Sequence, residues 1–480
     1  MSLYDLIIRG GTLVTSADVR QADVAIADGA VAAIGPSLEG GGRAEIDARG
    51  LHVFPGVIDA HVHFNEPGRA EWEGFATGAR ALAAGGATAF FEMPLNAHPP
   101  TLDAKSFDQK LAAARASSLV DFGLWGGLTP DNLDRLDDLA ERGAIGFKAF
   151  MSNSGIDDFR SVDDLTLYEG MARAARLRRI VAVHAENDQI TGLLARRAVA
   201  AGRVGARDYL ASRPVVAELE AIARAILLAE ETGCALHVVH VSTGRGVAMV
   251  AQARARGVDV SCETCPHYLA LTEDDLETLG AVAKCAPPLR GAVEQAALWQ
   301  HLLDGTLPMV ASDHSPSPPS MKGLDPIEDK ETGTQADTEQ LAPPAAQNSK
   351  LKTQNYFAVW GGISGCQSTL QLLLAEGYAR RGLPLSTIAA ATSEFVARRF
   401  EIAPAKGRVA IGADADLALV DLAHSFTLSA GELHYRHRLS PYVGRVLRGR
   451  VARTLVRGTT VFLDGKIVSK PIGRLLIPHS

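Results

Sequence analysis

With 480 residues, 47% of them hydrophobic and 21% charged, the chain can bury a large core and reads as one large globular domain with a smaller companion. A formal charge of −7 gives no overall attraction for nucleic acid or an anionic membrane, so a small neutral or weakly charged ligand suits it better. Five cysteines make no disulfide framework, no apolar run nears the roughly 20 residues of a bilayer span, and MSLYDLIIRGGTLV lacks a signal-peptide pattern, so a cytoplasmic protein is expected.

From residue 1 to 55, short β-branched runs broken by glycines (LIIRGGTLV, ADVAIADGAVAAIG, AEIDARGLHVF) predict small antiparallel strands. Apolar strand-like runs then alternate with alanine-rich helical segments: ATAFFEMP, VDFGLWG, AIGFKAF, IVAVHAEN, ALHVVHVS, VDVSCETCP and LPMVASDHS. Strand-then-helix repetition of this kind predicts parallel β/α units, seven or eight of which make a TIM-type barrel. The segment VVAELEAIARAILLAEETG carries apolar residues at helical spacing and stops at glycine. Residues 315–354 break the rhythm, being polar and Pro-rich; they predict a long loop, either a lid over a site or a surface insertion. Beyond residue 405 the glycine-punctuated strands return. The expected fold is α/β: a (β/α)8 barrel over 56–404 with a small β-sandwich domain built from 1–55 and 405–480.

His61 and His63 close the run FPGVIDAHVHF, and side chains at i and i+2 of a strand share one face. Such a pair alone is often accidental. Lys148 in GFKAFM, His184 in VAVHAEN, His240 in HVVHVS and Asp313 in VASDHSP also sit at the ends of apolar runs. Placed at the C-terminal mouth of one barrel, these side chains converge on a single pocket with a metal-ligating character. Lys148 lies among apolar residues, where an uncompensated ammonium is costly to bury, which marks it as chemically special. His314 points to the other side if the strand continues, and His267 in CPHYL is placed to support the site from behind; neither joins the ligand set. Cys262 and Cys265 form C-x-x-C, but no second pair at zinc-site spacing accompanies them, and buried apolar cysteines are the plainer reading.

The segments HVHFNEPGR, FKAFMSNSG, VHAEN, HVVHVS, ETCPHYL, CAPPLR, SDHSP and WGGISG together resemble the cyclic amidohydrolases over nearly the whole chain. The resemblance implies two divalent metals, usually zinc, with cobalt, manganese or iron also compatible with such ligands. It assigns His61, His63 and Asp313 to one metal, His184 and His240 to the other, and makes Lys148 a carboxylated bridge. A lysine whose pKa is lowered by burial and metal charge can add carbon dioxide to give an anionic carbamate. A water shared by two cations loses its proton near neutral pH, and Asp313 can take that proton and pass it to the leaving amide nitrogen. The resemblance also implies a homotetramer or dimer.

Within the family, the match is nearest to the branch that opens the hydantoin ring of allantoin. Dihydroorotase places an arginine where this chain has Asn65, which cannot form a bidentate ion pair with a substrate carboxylate, although Arg69 lies nearby. Hydantoinases and dihydropyrimidinases place an oxyanion-donating tyrosine where this chain has Asn153. Those enzymes remain the alternatives, with a non-catalytic scaffold of the same fold as another. Asn96 at a strand end and Ser152 or Asn153 become candidate substrate contacts, and the resemblance puts Ala286 and Gly362 at the pocket wall through backbone groups.

Overall fold

The computed structural model describes residues 4–324 and 355–479. Strands from both ends of the chain form one nine-stranded sheet. Tyr4–Val14 runs antiparallel to Val19–Ala27 and parallel to Gly42–Asp47 and His52–Pro55. Leu417–Thr427 then pairs antiparallel with His52–Pro55, setting Leu419 opposite Val53, and Val446–Val456 follows on its far side. Alternation does the sorting: Leu447, Gly449 and Val451 are buried while Arg448 and Arg450 face outward. Ile8, Leu13, Val24, Ile26, Val53, Leu417, Leu419 and Leu455 give the sheet a core of its own. Asp28 and Gly29 join two of its strands with φ of 51° and 79°, the left-handed pair that a tight two-residue hairpin turn needs.

His52–Pro55 leads directly into Val57–Val62, the first of a ring of parallel strands. Ala87–Glu92 and 121–127 come next, then Gly146–Phe150, Ile180–His184, Leu236–Val238 and Val260–Cys262. Residues 310–314 are the eighth strand, bridging Thr264 on one side and Val62 on the other. This ragged strand closes the barrel. Helices cover the outside, so Val57–Val62 and Ala87–Glu92 are buried along their whole length; Ala87–Glu92 accordingly reads as a nearly continuous apolar run, whereas Asp59 and His61 interrupt Val57–Val62. Val215–Thr232 is the long helix expected from its periodicity, ended by Gly233 at φ 68°. Inside the barrel, below the mouth, Phe91, Trp125, Met309 and Ala311 pack together, and Phe400 plugs the bottom with ring centroids 4.9 Å from Phe91 and 5.5 Å from Trp125. Of the polar stretch 315–354, residues 315–324 continue from the eighth strand through a 3-10 turn at Pro319–Lys322; the remainder, and with it the lid expectation, lies outside the described residues.

A buried charge knot fastens barrel to sheet. Lys406 Nζ lies 2.7 Å from both Asp414 and Asp416 and also contacts Asp121, the first residue of the third barrel strand. Arg457, in the turn of a sheet hairpin, contacts Asp121 as well. Two cationic side chains, Lys406 and Arg457, thus hold the three carboxylates together. Removing one partner of such a knot strands the others, a loss of about 3 kcal/mol. Lys406→Met should therefore lower the thermal midpoint by several degrees in a melting scan followed by circular dichroism; an unchanged midpoint would show that the knot does not hold the two parts together.

Candidate metal centre and substrate cavity

The barrel mouth opens into a cavity of about 590 Å³ whose wall includes His61, His63, His184, His240 and Asp313. Strand geometry explains the convergence. His61 and His63 project from the same face at the end of the first strand; His184 ends its strand, His240 lies two residues beyond Leu236–Val238, and Asp313 is the next-to-last residue of 310–314. His240 and Asp313 adopt φ of 39° and 45°, left-handed values uncommon for residues other than glycine. Each turns its side chain out of the strand direction toward the mouth, a strain on the order of 1 kcal/mol characteristic of functional positions.

The five side chains form two adjoining groups. Asp313 Oδ1 stands 3.3 Å from His61 Nε2 and 3.5 Å from His63 Nε2. His184 Nδ1 and His240 Nε2 face each other at 3.0 Å, and the His61 and His240 rings, 5.4 Å apart between centroids, join the groups. Lys148 is fully buried, its Nζ has no hydrogen-bond partner among the described residues, and it lies 5.0 Å from the centre of the Phe150 ring. Burial brings its amine down to about 7 against the pull of Asp313 and Glu263. Burial likewise lowers His63 to about 4, so that ring presents a neutral, ligating nitrogen. Burial alone would raise the Asp313 carboxyl, but the surrounding imidazoles reverse that and hold it below its ordinary range. Four imidazoles, one carboxylate and a buried amine fit divalent cations of the zinc type.

Two carboxylates behind the rings were not singled out from the sequence. Glu263 Oε1 sits 2.6 Å from His61 Nδ1 while its Oε2 holds His237 Nε2 at 3.1 Å. Burial pushes Glu263 up, and its two histidine partners more than reverse this, leaving it at about 2. Glu186 Oε2 takes His184 Nε2 at 2.9 Å and also contacts Arg213. Each carboxylate fixes which nitrogen its histidine turns to the cavity. Glu186 stands two residues after His184, the same spacing that singled out His61 and His63, so that signal was available. Glu92 supports the turn after the first strand by accepting the Phe64 and Asn65 N–H groups.

Asn96, Asn153, Ala286 and Gly362 line the cavity, whereas Asn65 and Ser152 are not among its lining residues. Asn65, at φ 66°, directs its amide toward the Pro316 carbonyl at 3.5 Å. The Asn153 amide oxygen accepts the Gly155 N–H at 2.8 Å, and the Gly362 N–H is engaged by the Lys284 carbonyl at 2.7 Å. A Cβ at Gly362 would stand 2.4 Å from the Ser315 carbonyl, so only glycine fits this part of the wall. Arg69 donates to the Asn96 carbonyl and pairs with Asp158, which commits it to the loop. His314 turns away from the mouth, its ring 4.8 Å from Tyr435 and its Nδ1 accepting the Gly365 N–H. Arg213, Lys284, Tyr209, Phe357 and Trp360 also line the cavity and were not anticipated.

A parallel barrel with this donor set at its C-terminal mouth defines a metal-dependent hydrolase class. Residues 52–461 match the amidohydrolase family. The chain is 59% identical to the allantoinase of Rubrobacter xylanophilus, covering 100% of this chain and 99% of that one, and 54% identical to the allantoinase of Solibacter usitatus, covering 100% and 98%. Among solved structures, the L-hydantoinase (dihydropyrimidinase) of Arthrobacter aurescens superposes with a TM-score of 0.91 at 34% identity over 99% of this chain and 100% of that chain. A D-hydantoinase gives 0.84 at 31% identity over 98% of both. The chain belongs to the amidohydrolase family and, within it, to the group of the allantoinases.

The role given to Glu263 has a direct test. Glu263→Gln should leave the fold intact but loosen His61, lowering metal retention about 10- to 100-fold when the purified protein is dialysed against a graded chelator series. Retention equal to that of the unaltered protein would show that Glu263 does not orient the ring.

Proposed function

We propose that this protein is an allantoinase, hydrolysing the cyclic amide bond of allantoin to give allantoate. The observation that carries the reading is the meeting of His61, His63, His184, His240 and Asp313 in one cavity wall, with Lys148 buried close to Asp313, in a chain alike along its full length to allantoinases. Residues 56–404 supply the chemistry, and 1–55 with 405–480 form the supporting domain. His61, His63 and Asp313 would hold one divalent cation and His184 and His240 a second, with Lys148 as an N-carboxylated bridge between them. Such a pair, proposed to be zinc, supplies polarisation of the ring carbonyl and a water acidic enough to ionise near neutral pH. The family likeness further supports a homotetrameric, cytoplasmic enzyme.

The chain's own residues carry the proton. Asp313, held ionised beside His61 and His63, accepts the proton of the attacking water as its oxygen bonds to the ring carbonyl carbon. As the carbon–nitrogen bond breaks, Asp313 returns the proton to the departing nitrogen, leaving a carboxylate and a free amide end. Asn96, Asn153 and Ala286 lie on the wall where they orient the ring, and Phe150, Phe357 and Trp360 restrict water around it.

The wall favours a substrate without a carboxylate. Among the described residues its two cationic side chains are already engaged: Arg213 pairs with Glu186, and Lys284 Nζ donates to the Val359 carbonyl at 2.5 Å, its pKa brought down to about 7 by burial. Dihydroorotate would have to displace one of these partners. The first measurement is hydrolysis of allantoin, dihydroorotate and hydantoin side by side, with metal content recorded on the same sample. Allantoin should be turned over preferentially; preference for either other ring would overturn the substrate assignment. Asp313→Asn should lower kcat by about 10³-fold or more, and near-normal turnover would remove Asp313 as the proton carrier.

A further inference from the structure

Asp313 faces a second donor set. Cys265 and His267 follow the seventh barrel strand, and one ligand atom from each of Cys265, His267 and Asp313 lies within 4.8 Å of the other two. Cys265 and His267 are both fully buried, and neither ring nitrogen of His267 has a hydrogen-bond partner among the described residues. A buried imidazole with both nitrogens unpartnered by protein groups needs a partner of another kind, an ion or a water, at that place. None of the five cysteines is in a disulfide, so the Cys265 sulfur is free to ligate.

We propose that Cys265, His267 and Asp313 form a side site for a thiophilic divalent cation, distinct from the two positions assigned to catalysis, and that its occupation inhibits the enzyme. The chemistry of the donors selects the ion. A thiolate and an imidazole, with an Asp313 oxygen shared with the catalytic centre, offer sulfur, nitrogen and oxygen, and sulfur with imidazole prefers zinc or cadmium to magnesium or calcium. Binding breaks the Cys265 S–H bond and forms a sulfur–cation bond, releasing one proton to solvent. Because Asp313 lines the cavity, a cation entering from the substrate side meets it first. Inhibition follows from sharing: an Asp313 oxygen held by the side-site cation cannot carry the proton of the hydrolytic step. That consequence rests on the role of Asp313 proposed above.

Cadmium is the probe, added to the metal-loaded full-length protein. The expected result is one further equivalent bound, with a near-ultraviolet thiolate-to-cadmium charge-transfer band, and loss of allantoin hydrolysis in step with that band, reversed by a chelating dithiol. Cys265→Ala should keep basal turnover, abolish the band and raise the half-inhibiting cadmium concentration about tenfold or more. His267→Gln keeps the thiol and should weaken binding by a similar factor, which serves if the alanine variant fails to fold. Band and inhibition persisting in both variants, or inhibition of the unaltered protein without a thiolate band, would overturn the side site. If the unaltered protein does not hydrolyse allantoin, the function proposed above falls, while the band and its loss in the variants still decide this site.

Discussion

Closure of the barrel between its first and eighth strands is the constraint on which the site depends. Asp313 lies some 250 residues after His61 and His63, and it reaches them only because 310–314 docks against Val57–Val62. The seam is held by the His63 N–H on the His314 carbonyl at 2.8 Å and by the Ser312 N–H on Asp59 Oδ1 at 3.0 Å. Those two bonds flank Asp313 and leave it little freedom, so its left-handed backbone is imposed by the neighbours that place its carboxylate. Packing at the base of the first strand is equally close: a Cβ on Gly56 would stand 2.1 Å from the Thr88 hydroxyl oxygen.

Burial then determines what the converged side chains are. In water the histidines would be partly protonated near their ordinary pKa and the lysine fully so. At the barrel mouth, removal from solvent lowers His63, His184, His240 and Lys148 together, and the same effect acting alone would neutralise Asp313. Only the imidazoles around Asp313 keep it ionised. The carboxylates of Glu263 and Glu186 act from the outer side of the rings, and Glu186 passes its charge on to Arg213 in the cavity wall. Neutral donors inward and anions behind them form a pattern that attracts cations into the cavity while keeping each ring in one orientation.

Much of this was legible because it follows from short-range geometry. The period-two rule placed His61 and His63 on one face and turned His314 away from them, and both hold in the folded chain. The apolar runs named the barrel strands because strands covered on both faces have no polar side to show. The terminal sheet was visible as glycine-punctuated texture at both ends, although the pairing of Leu419 with Val53 depends on tertiary contact. What stayed hidden depends on the three-dimensional neighbourhood or on a backbone turn. Glu263 looks like one more polar residue between two cysteines until His61 and His237 are brought to it. Asn65 follows the strand directly, but a positive φ sends its amide toward Pro316, so adjacency in sequence did not predict contact with the cavity. Arg213 and Lys284 reach the wall from segments with no signature of their own, one at the end of a short helix and one in a loop beside a 3-10 turn.

The terminal sheet carries a consequence for how the protein comes into being. His52–Pro55, joined to the first barrel strand by Gly56 alone, is held between Tyr4–Val14, made before it, and Leu417–Thr427, made long after it. One edge of the strand that anchors the histidine pair therefore stays unpaired while nearly all the intervening chain leaves the ribosome, and Asp313 itself emerges late. A nascent chain can collect helices and barrel strands as it grows, but it cannot complete the sheet before Leu417–Thr427 is made. The ring can close once 310–314 has emerged, but the sheet waits for Leu417–Thr427, and until then one edge of His52–Pro55 stays open to whatever lies nearby.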